Sequence, residues 1–358
     1  MGLFSKSFAP DCQGLIDNIR RKGTPKRVFN MELFLDGEVQ EEIARRFDLD
    51  KGLRRDEPFF HQQRQIRLAR FLGYDQVYDN IAVPMKWSIK RTDDTAGLAR
   101  DGGRSYQDET HGPITNWDEF HAYAWPDLTK LDTSSLEWYE KNLPEDMGVV
   151  ANSSAHFAEH PCLLMGYQNL CFALHDEPDL VTAIAAKTLE MATAKVKLMR
   201  QFKCVKAIWG SDDMGFKTST LLSPADMRKY VLPGHKKVAQ LVHESGIPYI
   251  LHSCGKLAEI IDELVDDVKI DAKHSFEDTI ESVIDAKKTY GRRTALLGGM
   301  DVDFLCRSDE QAVRQRVRKT LDACLSGGGY CLGTGNSVAN YIPLGNYLAM
   351  LDEGRNYC

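Results

Sequence analysis

Short apolar runs alternate with longer segments of helical periodicity along the whole chain. The pattern predicts eight brief strands rich in Val, Ile, Leu or aromatic residues, as expected of strands that are buried on both faces. Their predicted ranges are 27–35, 75–79, 147–152, 204–209, 247–252, 269–274, 294–298 and 328–333. Amphipathic helices are predicted between them, among others over 178–204, 223–245, 256–268, 278–290 and 308–325.

This alternation predicts an α/β fold with a parallel sheet, because parallel neighbours need long crossover connections. Eight strand–helix units predict a TIM-type (β/α)8 barrel that forms a single domain over residues 1–358. An open doubly wound sheet is the alternative. No GxGxxG motif follows the first strand, which argues against the dinucleotide-binding form of that alternative.

The spacing of the strands is uneven, and residues 80–146 separate the second strand from the third. This stretch contains several prolines and four of the five tryptophans. We expect an insertion that folds over the barrel mouth as a lid or a subunit contact, and a helix-rich extension on the side of the barrel is the alternative. Its Trp and Tyr content leaves a homodimer open.

Composition narrows the choice of partners. The net charge is −7, the pI is near 5.8 and there is no basic tract, so nucleic acid and an anionic membrane are not expected as partners. The longest apolar runs are far shorter than the ~20 residues of a membrane helix. Residues 1–10 lack the apolar core of a secretion signal. Nine cysteines without a CxxC motif then indicate reduced thiols in a cytoplasm.

The segment 249–255 (YILHSCG) contains the strongest chemical signal in the chain. A strand ends within it, and barrel enzymes place their reacting groups where strands end. His252 and Cys254 point the same way if the backbone stays extended, since side chains alternate with period two. Imidazole and thiolate together suit Zn²⁺. The alternative is a hydrogen-bonded histidine beside an inert cysteine.

A third ligand must come from another strand end, and several residues qualify. His274 closes the sixth predicted strand, and Asn336 follows the eighth. Asp212 and Asp213 follow the fourth strand, where they form either a helix cap and a solvated turn or a pair that shares one proton. Glu32 is a carboxylate within the otherwise apolar first strand, and such a charge needs a partner. The spacing along the sequence does not show which of these residues is a metal ligand, an acid or a base.

Two further features flank the predicted strand ends. Ser275 could cap the helix that follows His274, and Glu277 lies in the same loop. Glycines at 327–329, 333 and 335 flank the last strand, where they allow tight turns or the close approach of a ligand. No Gly-Lys-Ser/Thr sequence follows, so a P-loop is excluded.

With these residues in view, the chain resembles the uroporphyrinogen decarboxylase superfamily. The resemblance covers most of the chain and is best from Trp209 to the end. Its landmarks are 210–213 (GSDD), 222–224 (LSP), 232–235 (LPGH), 250–255 (ILHSCG), 297–301 (LGGMD) and 341–343 (YIP) followed by Asn346.

The superfamily contains two enzyme classes, and the chain resembles the corrinoid-dependent methyltransferases more than the true decarboxylases. The arginine-rich segment of the decarboxylases is not found after the first strand. The methyltransferases hold zinc through a His-x-Cys pair and a later cysteine. His252 and Cys254 match the pair, whereas Asn336 stands near the position of the later cysteine. The resemblance therefore leaves three alternatives: a zinc site that is incomplete, one completed by His274 or an acid, or no metal site.

Three hypotheses about function follow. The first is a metal-dependent methyltransferase that exchanges a methyl group between a small methylated substrate (a methoxy compound, a methylamine or a thiol) and a separate corrinoid protein. Here the ligands are His252, Cys254 and His274; the acid–base or orienting groups are Asp212, Asp213 and Glu32; and the substrate contacts are Asn336, Glu277 and Tyr341.

The second hypothesis is a cofactor-free decarboxylase acting on another carboxylate, with acid–base residues in a dry pocket. It predicts clustered cations at the mouth, with Arg54, Arg55 and Arg64 as candidates. The third hypothesis is a non-catalytic barrel that binds a partner.

Overall fold

The computed structural model describes Phe4 and residues 6–357. Cys358 and part of the N-terminal segment that was inspected for a secretion signal lie outside these described residues. Nine strands are assigned within them: β1 Gln76–Asn80, β2 Ile89–Thr92, β3 Arg104–Gln107, β4 Gly148–Asn152, β5 Val205–Ser211, β6 Tyr249–His252, β7 Ala272–His274, β8 Ala295–Leu297 and β9 Tyr330–Cys331. The helices that the structure describes are α1 Cys12–Ile19, α2 Gly37–Arg46, α3 Phe60–Leu72, α4 Trp117–Ala122, α5 Ser134–Asn142, α6 Glu159–Met165, α7 Tyr167–Asp176, α8 Pro178–Met199, α9 Pro224–Asp226, α10 Leu232–His243, α11 Val283–Thr289, α12 Val302–Arg307, α13 Glu310–Cys324 and α14 Leu344–Asn356.

Seven of the strands form one curled parallel sheet in the order β1-β4-β5-β6-β7-β8-β9. Every one of them overlaps a predicted strand, so the α/β class and the parallel sheet are confirmed. The register pairs Ser211 with His252, and His252 with His274. Three neighbouring strands therefore end at the same level.

The predicted first strand at 27–35 is wrong as a strand. The segment makes only isolated parallel bridges, between Asn30 and Leu332 and between Leu35 and Val338. On its other side, the Asn30 and Glu32 carbonyls accept from the side chains of Gln76 (3.4 Å) and Tyr78 (2.6 Å). Because these side chains satisfy carbonyls that a backbone ladder would need, no ladder to β1 is assigned here. The described sheet therefore has seven strands instead of eight.

The segment nevertheless lies against the concave side of the sheet. Phe29 and Met31 belong to a buried cluster with inward-facing residues of six strands: Val150, Ala207, Trp209, Ile250, Ala272, Ala295, Leu297 and Cys331. Four residues of α1 complete this cluster. The Asn18 side chain at the end of α1 bonds the Tyr330 carbonyl at the start of β9 (2.8 Å). Helix α1 thus covers the amino ends of the strands, and the carboxyl ends form the mouth.

The helices pack outside the sheet and follow the predicted pattern only in part. Helix α8 begins with Pro178 as predicted. Ser223 caps α9 by accepting from the Asp226 N–H, and Gly246 has the left-handed φ of +70° that was expected after α10. The predicted helix at 256–268 is reduced to a π-helical turn at Glu263–Val268. The helix predicted from 278 begins after Ser282, not after Ser275.

Residues 81–147 contain the β2–β3 hairpin, α4, a 3₁₀ turn at Leu128–Lys130 and α5. The side chain of Asn340, which follows β9, bonds Asp94 Oδ2 and the Leu98 carbonyl, both at 2.7 Å. The Trp87 ring lies 5.1 Å from that of His160, which follows β4. Part of this stretch therefore contacts loops at the carboxyl end of the sheet.

Two further findings bear on the sequence predictions. No helix among the described residues is long and apolar enough to cross a membrane. The eight cysteines that the structure describes are all free thiols.

Candidate metal centre

The loops after β5, β6 and β9 bring a carboxylate, an imidazole, a thiol and an amide together. His252 is the last residue of β6, and Cys254 follows two positions later. The Asp212 N–H donates to the His252 carbonyl (3.0 Å) and the Cys254 N–H donates to Asp213 Oδ1 (3.0 Å). These two bonds fix the two loops against each other, so that Asp213 faces the His–Cys pair.

Asp213, His252 and Cys254 have the spacing of metal ligands. One ligand atom from each lies within 4.8 Å of the other two. His252 Nε2 is 3.4 Å from Cys254 Sγ and 3.3 Å from Asp213 Oδ1. Bonds of about 2.0–2.3 Å to a tetrahedral zinc ion put neighbouring ligand atoms roughly 3.3–3.8 Å apart. The two distances from His252 Nε2 therefore match those of a tetrahedral zinc ion, and the third pair lies within 4.8 Å.

The hydrogen bonds of His252 leave its Nε2 free to coordinate. His252 Nδ1 lies 2.7 Å from His274 Nδ1, and His274 Nε2 lies 3.2 Å from the Thr334 carbonyl. A carbonyl only accepts, so His274 Nε2 carries the hydrogen and His274 Nδ1 accepts from His252 Nδ1–H. In the neutral imidazole this arrangement leaves the lone pair on His252 Nε2, which faces Cys254 and Asp213. In the protonated imidazole the same nitrogen donates to Asp213 instead. An N–H bond of this kind is what orients a metal-binding histidine.

His274 itself lies behind the three-residue cluster. Its side chain is fully buried, both ring nitrogens have partners, and burial lowers its pKa well below the usual range. The structure therefore brings His274 into contact with His252 without placing it among the three clustered residues. The sequence expectation that it is a ligand remains a prediction.

Glu32 is connected to His274 through Thr334. It is fully buried, and its Oε2 accepts from the Thr334 N–H (2.8 Å) and from the Thr334 hydroxyl (2.5 Å). Its Oε1 has no hydrogen-bond partner among the described residues. Burial raises the pKa of Glu32 to about 8, although the Thr334 bonds oppose the shift. Glu32 thus reaches the cluster only through Thr334 and His274.

The surroundings shift the pKa values of Asp213 and Cys254 in opposite directions. Burial alone would raise the pKa of Asp213, but the hydrogen bond and the charge of His252 and the Cys254 N–H hold it well below its usual range. Burial and then the Asp213 carboxylate raise the pKa of the Cys254 thiol. Without an added cation, Asp213 is therefore ionised and Cys254 keeps its proton.

Asn336 lies at the open side of Cys254. Its Nδ2 donates to Cys254 Sγ (3.2 Å), while its Oδ1 accepts from the Ser337 N–H (2.8 Å). The second bond fixes which way the amide points, so the nitrogen faces the sulfur. The residue that stands near the position of the later family cysteine is therefore close enough to act on the thiol.

Asp212 and Asp213 diverge instead of sharing a proton. Asp212 is fully buried and accepts from the N–H groups of Ala158 and Glu159, at 2.9–3.0 Å. Its Oδ2 also lies 2.9 Å from His235 Nε2. These bonds attach the N-terminus of α6 and helix α10 to the loop after β5, so Asp212 has a structural role.

The remaining predicted substrate contacts lie at the rim. Tyr341 is 50% exposed, with the Arg104 guanidinium 5.2 Å from its ring centroid. Glu277 is half-buried, and its charge contributes to raising the pKa of both Cys254 and Tyr341, after burial in each case. Neither residue is therefore part of the three-residue cluster.

The arginines expected for a decarboxylase are neutralised by carboxylates. Arg54 pairs with Asp56 (2.7 Å) and Arg55 with Glu41 (2.6 Å). Arg64 is buried and ion-paired with Glu41 and Asp50. These side chains are not an open cationic cluster.

A pocket of about 480 Å³ occupies the mouth above the inward-facing core. It is lined by the 27–35 segment and by the ends of β1, β4 and β5, which contribute Tyr78, Asn152, Trp209 and Ser211. The Trp209 ring lies 5.6 Å from that of His274. A small substrate in this pocket would therefore lie close to the residues that support His252.

Sequence analysis missed one functional candidate, Lys195, which is fully buried. It follows Ile184, Thr188 and Met191 at helical spacing on the buried side of α8. A lysine in register with an apolar stripe was a usable signal, because lysine is rarely fully buried.

Comparisons with known proteins identify the family of the chain and a shared fold. The family described as "Uroporphyrinogen decarboxylase (URO-D)" matches residues 110–357. A methylated-thiol–coenzyme M methyltransferase of Methanosarcina mazei is 31% identical over 133 residues, which are 37% of this chain and 33% of that protein. The match thus spans about a third of that relative. A solved structure of a methyltransferase from Methanosarcina mazei aligns with a TM-score of 0.67 at 16% identity, covering 95% of this chain and 97% of that one, and so shares the fold.

Proposed function

Since the chain belongs to the uroporphyrinogen decarboxylase family, we propose that it is a metal-dependent methyltransferase that exchanges a methyl group between a small methylated substrate and a corrinoid protein. The observation that carries the proposal is the spacing of Asp213 Oδ1, His252 Nε2 and Cys254 Sγ. Both relatives described above are methyltransferases, which supports the reaction class.

In this proposal Asp213, His252 and Cys254 hold zinc, and the substrate takes the fourth position. A bound zinc ion would supply Lewis-acid chemistry, lowering the pKa of a bound oxygen or sulfur. One carboxylate and one thiolate would leave the site neutral overall with Zn²⁺. We infer that Asp213 takes the third position of the site, which sequence reasoning had offered to His274.

The chain's other residues set the geometry and the proton positions. His274 and Thr334 hold His252 in the tautomer that exposes Nε2. Asn336 donates to Cys254 Sγ and would reduce the electron density on a thiolate there. Glu32, protonated near neutral pH, anchors Thr334 without adding a charge behind the site.

We further infer that the 27–35 segment completes a barrel-like mouth, and that part of the stretch of residues 81–147 narrows this mouth. The contacts of Asn340 with Asp94 and Leu98 and the packing of Trp87 on His160 support that inference. A mouth closed only on one side would still admit a bulky corrinoid carrier from the other.

The test is metal content followed by methyl transfer. Protein purified without oxygen should hold about one zinc per chain, and a His252→Ala/Cys254→Ala variant should hold none. Ser337→Ala is the matched control, since Ser337 touches Asn336 only through its backbone. With cob(I)alamin as acceptor, methoxy compounds, methylamines and methylated thiols should be screened for formation of methylcobalamin.

A zinc-free wild-type protein that stays zinc-free after reconstitution would refute the ligand assignment. Zinc binding without methyl transfer to cob(I)alamin or to any corrinoid protein would refute the reaction.

A further inference from the structure

A second pocket, of about 330 Å³, lies between α6, α8 and the segment that follows β1. Its walls are largely apolar and include Met85, Trp87 and Met191. Its polar lining contains three basic side chains, Lys195, His156 and His160, together with Asn80, Ser154 and the Glu159 carboxylate. The pocket shares Asn80 and His156 with the pocket at the mouth, so the two adjoin.

Lys195 is a buried cation without a counter-ion. Its side chain is fully buried, and Nζ donates to Asn80 Oδ1 (2.6 Å) and to the Ser154 hydroxyl. Both of these partners are neutral, and among the described residues Asp79 acts on Lys195 only as a nearby charge. Burial lowers the pKa of Lys195 to about 7, and the nearby charge of Asp79 opposes that shift only in part. A buried ammonium of this kind gains from an anion beside it.

His160 supplies an independent sign of a missing partner. The residue is 7% exposed, and its Nδ1 has no hydrogen-bond partner among the described residues. Its ring packs on Trp87 (5.1 Å) and on His156 (5.0 Å), so its position is fixed. Buried ring nitrogens are normally satisfied, and one that is not commonly marks the place of a ligand or an ordered water.

His156 places a second imidazole on the same side. Its Nδ1 lies 2.7 Å from Glu159 Oε2, which also accepts from the Asp213 N–H (3.1 Å). Its Nε2 has no hydrogen-bond partner among the described residues. The Glu159 carboxylate is therefore engaged by His156 and the β5 loop and does not neutralise Lys195.

We propose that this pocket binds a carboxylate attached to an apolar body, with Lys195 as the ion-pair partner and His160 Nδ1 as a hydrogen-bond donor. The apolar walls fit the body, and Lys195 with the unpartnered His160 Nδ1 fits the acid. That the bound acid is the methyl substrate rests on the proposed function, since the pocket adjoins the mouth. The binding itself does not rest on it.

Direct calorimetric binding to the full chain tests the proposal with benzoate, benzamide and inorganic phosphate. Benzamide has nearly the shape of benzoate without its charge, and phosphate is an oxyanion without the apolar body. Benzoate should bind the wild type. Benzamide should bind at least about tenfold more weakly because it lacks the charge-assisted bond, and phosphate at least about tenfold more weakly because it lacks the apolar body. Equal binding of benzoate and benzamide would overturn the ion pair. Phosphate binding as tight as that of benzoate would overturn the apolar body.

The variants assign the effect to residues. Lys195→Met should weaken benzoate binding at least about tenfold, whereas Lys197→Met, on an exposed lysine of the same helix, should leave it unchanged. His160→Phe gives a second variant in case Lys195→Met does not fold, and it should also weaken benzoate. Unchanged binding in either pocket variant would overturn the assignment. Benzoate binding by a chain that transfers no methyl group would uphold the pocket and refute only the proposed reaction.

Discussion

The buried carboxyl of Glu32 makes a quantitative prediction about stability and pH. Its pKa is raised by burial from 4.5 to about 8. A carboxyl with a raised pKa stabilises the fold fully below its unfolded pKa, and this stability is lost as the pH rises toward the folded pKa. Glu32→Gln removes this titration while keeping an oxygen that accepts from Thr334. At about 1.4 kcal/mol per pKa unit, the wild type should lose about 3.5 kcal/mol relative to the variant between about pH 5 and 8.

The assay is urea unfolding of both proteins at several pH values in that window, followed by circular dichroism. Glu145→Gln, on an exposed carboxylate, is the control and should parallel the wild type. If the wild type and Glu32→Gln stay parallel to within about 1 kcal/mol across the window, Glu32 is charged in the folded protein. Its role as a neutral anchor for Thr334 would then be refuted.

Three further predictions concern other parts of the site. Asn336→Cys should supply a second thiolate and slow the loss of zinc to a chelator, whereas Ser337→Cys should not; equal rates would contradict the position assigned to Asn336. Asp212→Asn should lower the free energy of urea unfolding by roughly 2–4 kcal/mol, because it removes a buried carboxylate that three donors share. The zinc content should not change, and loss of zinc with unchanged stability would argue for a catalytic role. Benzoate affinity should fall as the pH rises through about 7, where Lys195 loses its charge; a calorimetric affinity that is flat from about pH 6 to 8 would count against it.

Much of the fold could be predicted because apolar runs mark buried parallel strands. The predicted ranges 147–152 and 247–252 match β4 and β6 almost to the residue. The range 27–35 has the same apolar character, but it fails as a strand because Gln76 and Tyr78 satisfy its carbonyls through side chains. Apolar periodicity reports burial, and it does not distinguish a ladder from a buried extended segment.

The sequence indicated that His252 and Cys254 lie together, but not which residue lies beside them. The spacing of His252 and Cys254 at a strand end was enough to place both. Whether Asp213 or His274 lies beside them depends on the direction of two side chains, which follow from bonds to the Cys254 N–H and the Thr334 carbonyl. The basic pocket around Lys195 joins residues from three separate elements, and one sequence does not show that juxtaposition.

The central claim is that Asp213, His252 and Cys254 hold a zinc ion, and X-ray absorption at the zinc edge of anaerobically purified protein tests it most directly. The account predicts one sulfur at about 2.3 Å and the remaining nitrogen or oxygen ligands at about 2.0–2.1 Å. It also predicts that the sulfur shell disappears in Cys254→Ser. A zinc shell without sulfur in the wild type, or a sulfur shell that persists in Cys254→Ser, would contradict it.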